Sequence, residues 1–167
     1  MAGNRPALDV PFFRFLYGPQ DGVEHLCIAE FENMARRIRA KGFSAETIWM
    51  SRLLLDSLSE LGLLDEQILA EERIHSELFY KDLRGKHLRE EVSNRVIEKL
   101  AGKPPSHCAI LLRVGSLFPF VRISHILSRI DGPVRCVTVI PYPGSREGQM
   151  LWFSGEDWNN YYRWETI

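Results

Sequence analysis

The sequence has few cysteines and no long apolar run. Its three cysteines, Cys27, Cys108 and Cys136, are an odd number set far apart in apolar surroundings, which indicates reduced core thiols rather than a disulfide framework. No CxxC or HxxxH pair occurs and the five histidines are scattered, so no zinc site is expected. No stretch approaches the roughly 18 apolar residues of a transmembrane helix, and residues 1–13 lack the charged-then-apolar pattern of a signal peptide. We therefore expect a cytoplasmic protein that is not attached to a membrane.

The chain also lacks an excess of charge of one sign. It carries 21 Lys and Arg against 22 Asp and Glu, whereas a nucleic-acid surface usually needs a dense cationic face. We therefore do not expect direct DNA binding, for which the candidate side chains would be Arg113, Arg135, Arg146 and Arg163. With 45% hydrophobic and 26% charged residues, the composition is that of an ordinary globular protein. A chain of 167 residues can bury its own core, so residues 1–167 are expected to form a single domain.

Motifs for phosphate binding and nucleophilic catalysis are missing or incomplete. The stretch VGSLFPFVR, residues 114–122, follows an apolar run, but it has one glycine and no lysine, and Pro119 removes an amide donor. The Gly85-Lys86 pair lies between predicted helices rather than after a strand. No G-x-G-x-x-G or G-x-S-x-G sequence occurs. The sequence therefore predicts no catalytic residue and no cofactor.

The spacing of apolar residues and turn signals predicts strands alternating with helices. The predicted strands are residues 12–17, 47–50, 107–114 and 134–141, with short edge strands at 150–154 and 161–167. The predicted helices are residues 23–40, 53–61, 65–83, 86–100 and 120–129. The run HCAILLRV, at 107–114, is apolar almost throughout, which indicates burial on both faces, as in a parallel sheet. The expected fold is a three-layer α/β domain with a mostly parallel sheet flanked by helices and with short C-terminal edge strands.

Two predicted strand-end loops are candidate ligand loops, because parallel strands bring their carboxyl ends to one edge of the sheet. Their residues are Gly115, Ser116, Pro119 and Arg122 after the third strand, and Pro143 and Gly144 after the fourth. As a ligand site, these loops would make the protein a degenerate nucleotide-binding module without NTPase activity. As structural residues, Gly115 would permit a tight turn, Ser116 would supply a turn or N-cap hydroxyl for the next helix and Pro119 would set its start. Arg122 would either face a ligand or bond carbonyls at the strand ends.

Aromatic residues are concentrated at the C-terminus. Residues 142–167 contain seven of the 18 aromatic residues and three of the four tryptophans. The rings either pack a small edge sheet against the core or are partly exposed, and exposed Trp, Tyr and Arg side chains anchor protein interfaces. The candidate partner-binding residues are Trp152, Trp158, Tyr161, Tyr162, Arg163 and Trp164.

Four ordered motifs in this chain resemble the BrxB family of bacterial BREX phage-defence systems. They are VPFFRFLYGPQD at residues 10–21, LLRVGSLFPFVRISHIL at 111–127, IPYPGSREGQMLWF at 140–153 and NNYYRW at 159–164. The chain departs from the family pattern at Arg113, where the family usually has a small residue. It also has Leu16 in place of an acidic residue, and it ends in WETI.

The resemblance implies a non-enzymatic protein that works with a PglZ-like partner of the alkaline-phosphatase superfamily. A large ATPase and a methyltransferase, encoded beside it, are the other partners that the family implies. The resemblance supplies no catalytic residues, in agreement with the search for motifs. We therefore expect an adaptor that docks its partner through the aromatic C-terminal region.

Overall fold

The structure is a computed structural model that describes residues 12–18, 20–66, 70, 85–147, 150–153, 156–158 and 165–166, with side chains up to Gly144. The strands are β1 (Phe12–Tyr17), β2 (Ala45–Trp49), β3 (Cys108–Leu112), β4 (Val137–Pro143), β5 (Ser145–Glu147), β6 (Met150–Phe153), β7 (Glu156–Trp158) and β8 (Glu165–Thr166). The helices are α1 (Val23–Ala40), α2 (Met50–Glu60), α3 (Lys86–Leu100) and α4 (Ile123–Ile130), and Val114–Leu117 forms a 3₁₀ turn.

Five strands form one sheet in the order β2-β3-β4-β1-β8, and every pair of neighbours in it is parallel. Its register places Ala45 beside Cys108, and Cys108 beside Val137. The strands β5, β6 and β7 form a separate antiparallel sheet. The prediction of a mostly parallel sheet flanked by helices, with short C-terminal strands, is therefore confirmed.

The sheet is buried on both faces, as the apolar run in β3 predicts. Ala109 and Leu111 belong to a large core beneath α2, α3 and α4, which we call the closed face. Ile110 and Leu112 belong to a smaller core beneath α1, which we call the open face. Alternate residues of a strand point to opposite faces of the sheet. Since all four side chains are fully buried, both faces of β3 are covered.

Helix α1 follows the apolar spacing closely and has the predicted bounds. Its buried residues Phe31 and Ala35 lie one turn apart, and Gly22 and Gly42 flank the helix with positive φ of 82° and 85°. Glycine adopts this backbone conformation without a steric penalty, so these two positions define where the helix starts and stops.

Several other boundaries differ from the prediction. Met50 belongs to α2 rather than to the preceding strand, so α2 begins earlier than predicted. The third strand ends at Leu112, and the fourth begins at Val137, because Val134 forms only an isolated bridge with Asp131. The helix predicted at residues 65–83 falls largely outside the described residues.

Candidate functional site

The loop after β3 turns at Arg113, which has φ 58° and ψ 41°. This left-handed conformation ends the strand, and the 3₁₀ turn begins at the next residue. The prediction that Gly115 permits the tight turn was therefore wrong, since Gly115 lies within the 3₁₀ turn and does not have a positive φ. Ser116 provides a turn hydroxyl and not the N-cap of α4, because its hydroxyl donates to the Arg113 carbonyl over 2.7 Å within the 3₁₀ turn.

Pro119 does not open α4, because the helix begins only at Ile123. The peptide bond between Phe118 and Pro119 is cis, and the amides of Phe120 and Val121 both donate to the carbonyl of Leu117, at 2.9 and 2.8 Å. The chain therefore completes a second turn before the helix starts. Arg122 is the exposed N-cap residue of α4, with an extended backbone, rather than a residue inside the helix.

The two predicted ligand loops do meet at the carboxyl edge of the sheet. Pro143 is the last residue of β4, and the amide of Gly144 donates to the carbonyl of Tyr17 over 2.9 Å. The cavity between the loops, lined by Gly115 and Pro143 among others, has a volume of about 10 Å³. One water molecule needs roughly that volume, whereas small-molecule sites occupy about 300–1,000 Å³. The loops are thus packed against each other and leave no space for a nucleotide between them.

A polar cluster at the same edge ties α1 to the sheet. The Glu24 carboxylate accepts hydrogen bonds from the Tyr17 hydroxyl, at 3.3 Å, and from Arg113 Nη2, at 3.2 Å. Burial of the phenol, followed by the negative charge of Glu24, raises the pKa of Tyr17 above its ordinary value. Tyr17 therefore stays protonated near neutral pH and holds Glu24 in place, rather than acting as a base.

The three thiols are poor nucleophiles. Burial raises the pKa of Cys27 to about 11, and the nearby Glu24 carboxylate adds to the effect. Burial also raises the pKa of Cys108 and that of Cys136. Because the thiolate is the reactive form, the raised pKa values keep all three thiols protonated near neutral pH.

A second polar cluster, at the amino edge of the sheet, was not predicted. Ser44 Oγ lies 2.7 Å from His107 Nδ1, and His107 Nε2 lies 2.9 Å from Glu46 Oε1. A carboxylate can only accept, so Nε2–H donates to Glu46, while Ser44 Oγ bonds to Nδ1 on the other side of the ring. Lys103 Nζ also lies 3.5 Å from Glu46, and His107 is only 3% exposed. We call these four residues the amino-edge clasp.

The clasp has the atom order of a serine–histidine–carboxylate relay, but its place in the fold favours a structural role. Ser44 and His107 immediately precede β2 and β3, and the amide of Cys108 donates to the carbonyl of Ser44 over 2.9 Å. The cluster therefore joins the starts of two neighbouring strands. A sequence signal did exist, because Ser44 and Glu46 are two residues apart and parallel strands in register bring their amino ends together.

The candidate partner-binding residues lie in the C-terminal region. Trp152 belongs to β6 and Trp158 to β7, and Trp152 is paired with Asp157 in the antiparallel register. The side chains of both tryptophans, and all of Tyr161, Tyr162, Arg163 and Trp164, fall outside the described residues. Their part in an interface therefore stays a prediction.

Among the residues that the structure describes, no three His, Cys, Asp or Glu side chains are grouped so that they could hold a metal ion. Within the same ranges, no helix has both the length and the apolar character needed to cross a membrane.

A family model described as "BREX protein BrxB" matches residues 46–167, which is more than two thirds of the chain. The match includes three of the four motifs on which the family resemblance was based, those at residues 111–127, 140–153 and 159–164. The motif at residues 10–21 precedes the matched range. Neither the curated proteins nor the solved structures contain a match to this chain.

Proposed function

Since this chain belongs to the BrxB family, and is thereby a component of a BREX phage-defence system, we propose that it acts there as a non-catalytic, cytoplasmic adaptor. Its direct partner is a PglZ-like protein of the alkaline-phosphatase superfamily. Through that partner it joins a larger complex with the BREX ATPase and methyltransferase.

The family match over residues 46–167 carries this proposal. The chemistry of the described residues agrees with an adaptor. The strand-end loops enclose only about 10 Å³, Cys27 has a pKa of about 11, and His107 is buried in a clasp between two strands. Each of these features is explained by packing or hydrogen bonding within the fold, without a bound substrate.

The proposed interface is the aromatic C-terminal region, with Trp158, Tyr161 and Trp164 as the proposed anchor residues. The few residues that dominate binding at protein interfaces are enriched in Trp, Tyr and Arg, and Trp and Tyr bury a large area with only two rotatable side-chain bonds. All the candidate anchors lie inside the range that the family model matches.

Co-purification tests the adaptor role. The tagged chain is expressed with the PglZ-like protein, the ATPase and the methyltransferase of the same system, and we expect the PglZ-like protein to be retained with the tag. The double variant Trp158→Ala/Tyr161→Ala should retain at least about tenfold less of it, as expected for interface anchors. Its circular dichroism spectrum and melting temperature should match those of the unmodified chain.

Phe43→Ala is the matched control, because Phe43 is an aromatic residue that is 59% exposed and lies away from the C-terminal region. This variant should bind as the unmodified chain does. If the folded double variant binds equally well, the interface lies elsewhere on the chain. If the folded, unmodified chain never retains the PglZ-like protein, the adaptor proposal is wrong.

A further inference from the structure

An open apolar groove runs along α1 on the open face of the sheet. It has a volume of about 670 Å³, and its walls are one side of α1, from Val23 to Lys41, and the end of β1, from Phe15 to Gly18. The α1 side chains that line it recur every three or four residues and include Leu26, Phe31 and Met34. They therefore form one continuous stripe along the whole helix.

Two large apolar side chains in this groove are exposed. Leu26 is 67% exposed and Phe15 is 41% exposed. The Phe15 ring lies edge-on to the ring of Phe31, with centroids 5.4 Å apart and planes at 71°, which orients it beside the groove. Isolated exposed leucines are common on protein surfaces, but apolar residues that continue a groove are typical of a binding site.

The groove is as long as α1 and runs beside it on the open face. A helix of 18 residues is about 27 Å long, and a packed helix covers a strip roughly 10 Å wide. Beside Phe15 and Tyr17 the sheet has four strands and is about 15 Å wide, because β8 pairs only with Phe13 and Arg14. Among the described helices, the closed face carries α2, α3 and α4, whereas the open face carries only α1. Since α1 covers only part of this width, the strip next to the end of β1 is not covered by any described helix, and a helix can pack there along the edge of the sheet.

The charges around the groove differ between its two ends. Arg37 and Lys41 line one end, both are exposed, and neither forms an ion pair within the described part of the chain. Glu30 also lines the groove and is exposed, but it lies two helical turns before Arg37, so the basic end itself carries no acidic lining residue. Near the other end, Glu24 is already bonded to Tyr17 and Arg113. A ligand that lies in this groove is therefore favoured if it carries negative charge near Arg37 and Lys41.

We propose that this groove receives an amphipathic α-helix of a BREX partner protein, with the helix's apolar stripe against Leu26, Phe31 and Met34 and its acidic side chains at Arg37 and Lys41. The proposal rests on the proposed adaptor function in one respect, which is that the bound helix belongs to another BREX protein. Helix-in-groove recognition uses anchors at i, i+3, i+4 and i+7, the same spacing that α1 presents. The groove lies in residues 15–41, before the range that the family model matches, so the family match does not assign it.

The first experiment compares two leucines on opposite faces. Leu26 and Leu55 are both helical and are 67% and 55% exposed, but only Leu26 lines the groove. In the co-purification described above, Leu26→Glu should reduce the retained partner by at least about tenfold, because it places a charge in the apolar contact. Leu55→Glu should leave it unchanged. Equal retention by the two variants, both folded by circular dichroism, would overturn the proposal.

The second experiment reverses one charge. Arg37→Glu should weaken partner retention by roughly two- to fivefold, the range expected for one exposed ion pair, and added salt should reduce the difference. Arg52→Glu is the matched control, since Arg52 is an exposed arginine on α2. If both reversals have the same effect, Arg37 does not face an acidic partner.

The third experiment identifies the occupant. A photoreactive phenylalanine analogue is placed at position 26, and at position 55 as the control, in the chain expressed with its three BREX partners. We expect position 26 to cross-link to a partner segment with apolar residues at i, i+3, i+4 and i+7. A cross-link to a second copy of this chain would overturn the proposal, and so would a partner segment without that spacing.

The outcomes separate this proposal from the adaptor function. If the unmodified chain and Leu26→Glu retain the PglZ-like protein, the ATPase and the methyltransferase equally, the adaptor stands and the groove helix is wrong. If Leu26→Glu loses the ATPase or the methyltransferase instead, the groove helix stands and the direct partner was misidentified. If the unmodified chain retains none of the three proteins and position 26 forms no cross-link to them, both are wrong.

Discussion

The closed and open faces of the sheet share the same strands but differ in how they are covered. On the closed face, Leu111 of β3 and Ile126 and Leu127 of α4 are fully buried in the core between the sheet and three helices. On the open face, one described helix packs on the sheet, and its Leu26 remains 67% exposed beside a groove of about 670 Å³. Most of the buried surface that stabilises the fold thus lies on the closed face, whereas the apolar surface that is available for binding lies on the open face. A substitution can therefore change stability or binding separately.

The largest expected effect tests this separation with one substitution on each face. Leu127→Ala should lower the free energy of unfolding by about 2–5 kcal/mol, because it leaves a cavity in the closed core. Leu26→Ala should change it by less than about 0.5 kcal/mol, because the side chain is mostly in water already. Urea denaturation followed by circular dichroism measures both values. Equal losses would mean that the open face is as important for stability as the closed face.

Loss of the amino-edge clasp should destabilise both cores, because β2 and β3 carry residues of both. His107→Ala removes a buried ring with two hydrogen bonds, so it should cost about 2–3 kcal/mol of unfolding free energy. Ser44→Ala should cost about 1 kcal/mol, because Ser44 is exposed and its loss removes one hydrogen bond. Urea denaturation of the two variants measures these costs.

The same clasp variants test whether Ser44 has a chemical role. A stable Ser44→Ala protein should still support phage resistance in cells that carry the complete BREX system. Loss of resistance without loss of stability would indicate nucleophilic chemistry at Ser44 and would contradict the structural interpretation of the clasp.

The smallest expected effect concerns how α1 is fastened to the sheet on the open face. Arg113 has a left-handed backbone and an ion pair with Glu24. Arg113→Ala loses the ion pair and keeps the unfavourable φ, whereas Arg113→Gly loses the ion pair and relieves the φ. The glycine variant should therefore be the more stable of the two by about 1 kcal/mol, measured by urea denaturation. A more stable alanine variant would contradict a left-handed backbone conformation at Arg113.

The elements that the sequence predicts best are those with local signals at both ends. Helix α1 lies between two glycines, β1 ends just before Gly18, and α3 keeps its apolar spacing from Leu88 to Leu100. Burial of β3 on both faces could be predicted because its apolar run does not alternate. In these segments the local preference of the chain and its tertiary packing agree.

The features that the sequence did not predict depend on contacts between distant residues. The turn after β3 uses Arg113 where Gly115 was expected, and an ion pair with Glu24, 89 residues away, accompanies that conformation. The clasp joins Ser44 to His107 across 63 residues, so no local motif marks it. The groove could be predicted only in part, because the stripe on α1 is visible in the sequence but the exposure of Leu26 is not.

The most direct test of the adaptor role is reconstitution from separately purified proteins. The chain and the PglZ-like protein are mixed at micromolar concentration and passed over a size-exclusion column with mass detection by light scattering. The adaptor role predicts a single peak that contains both proteins, with the mass of a complex. Two peaks with the masses of the separate, folded proteins would contradict it.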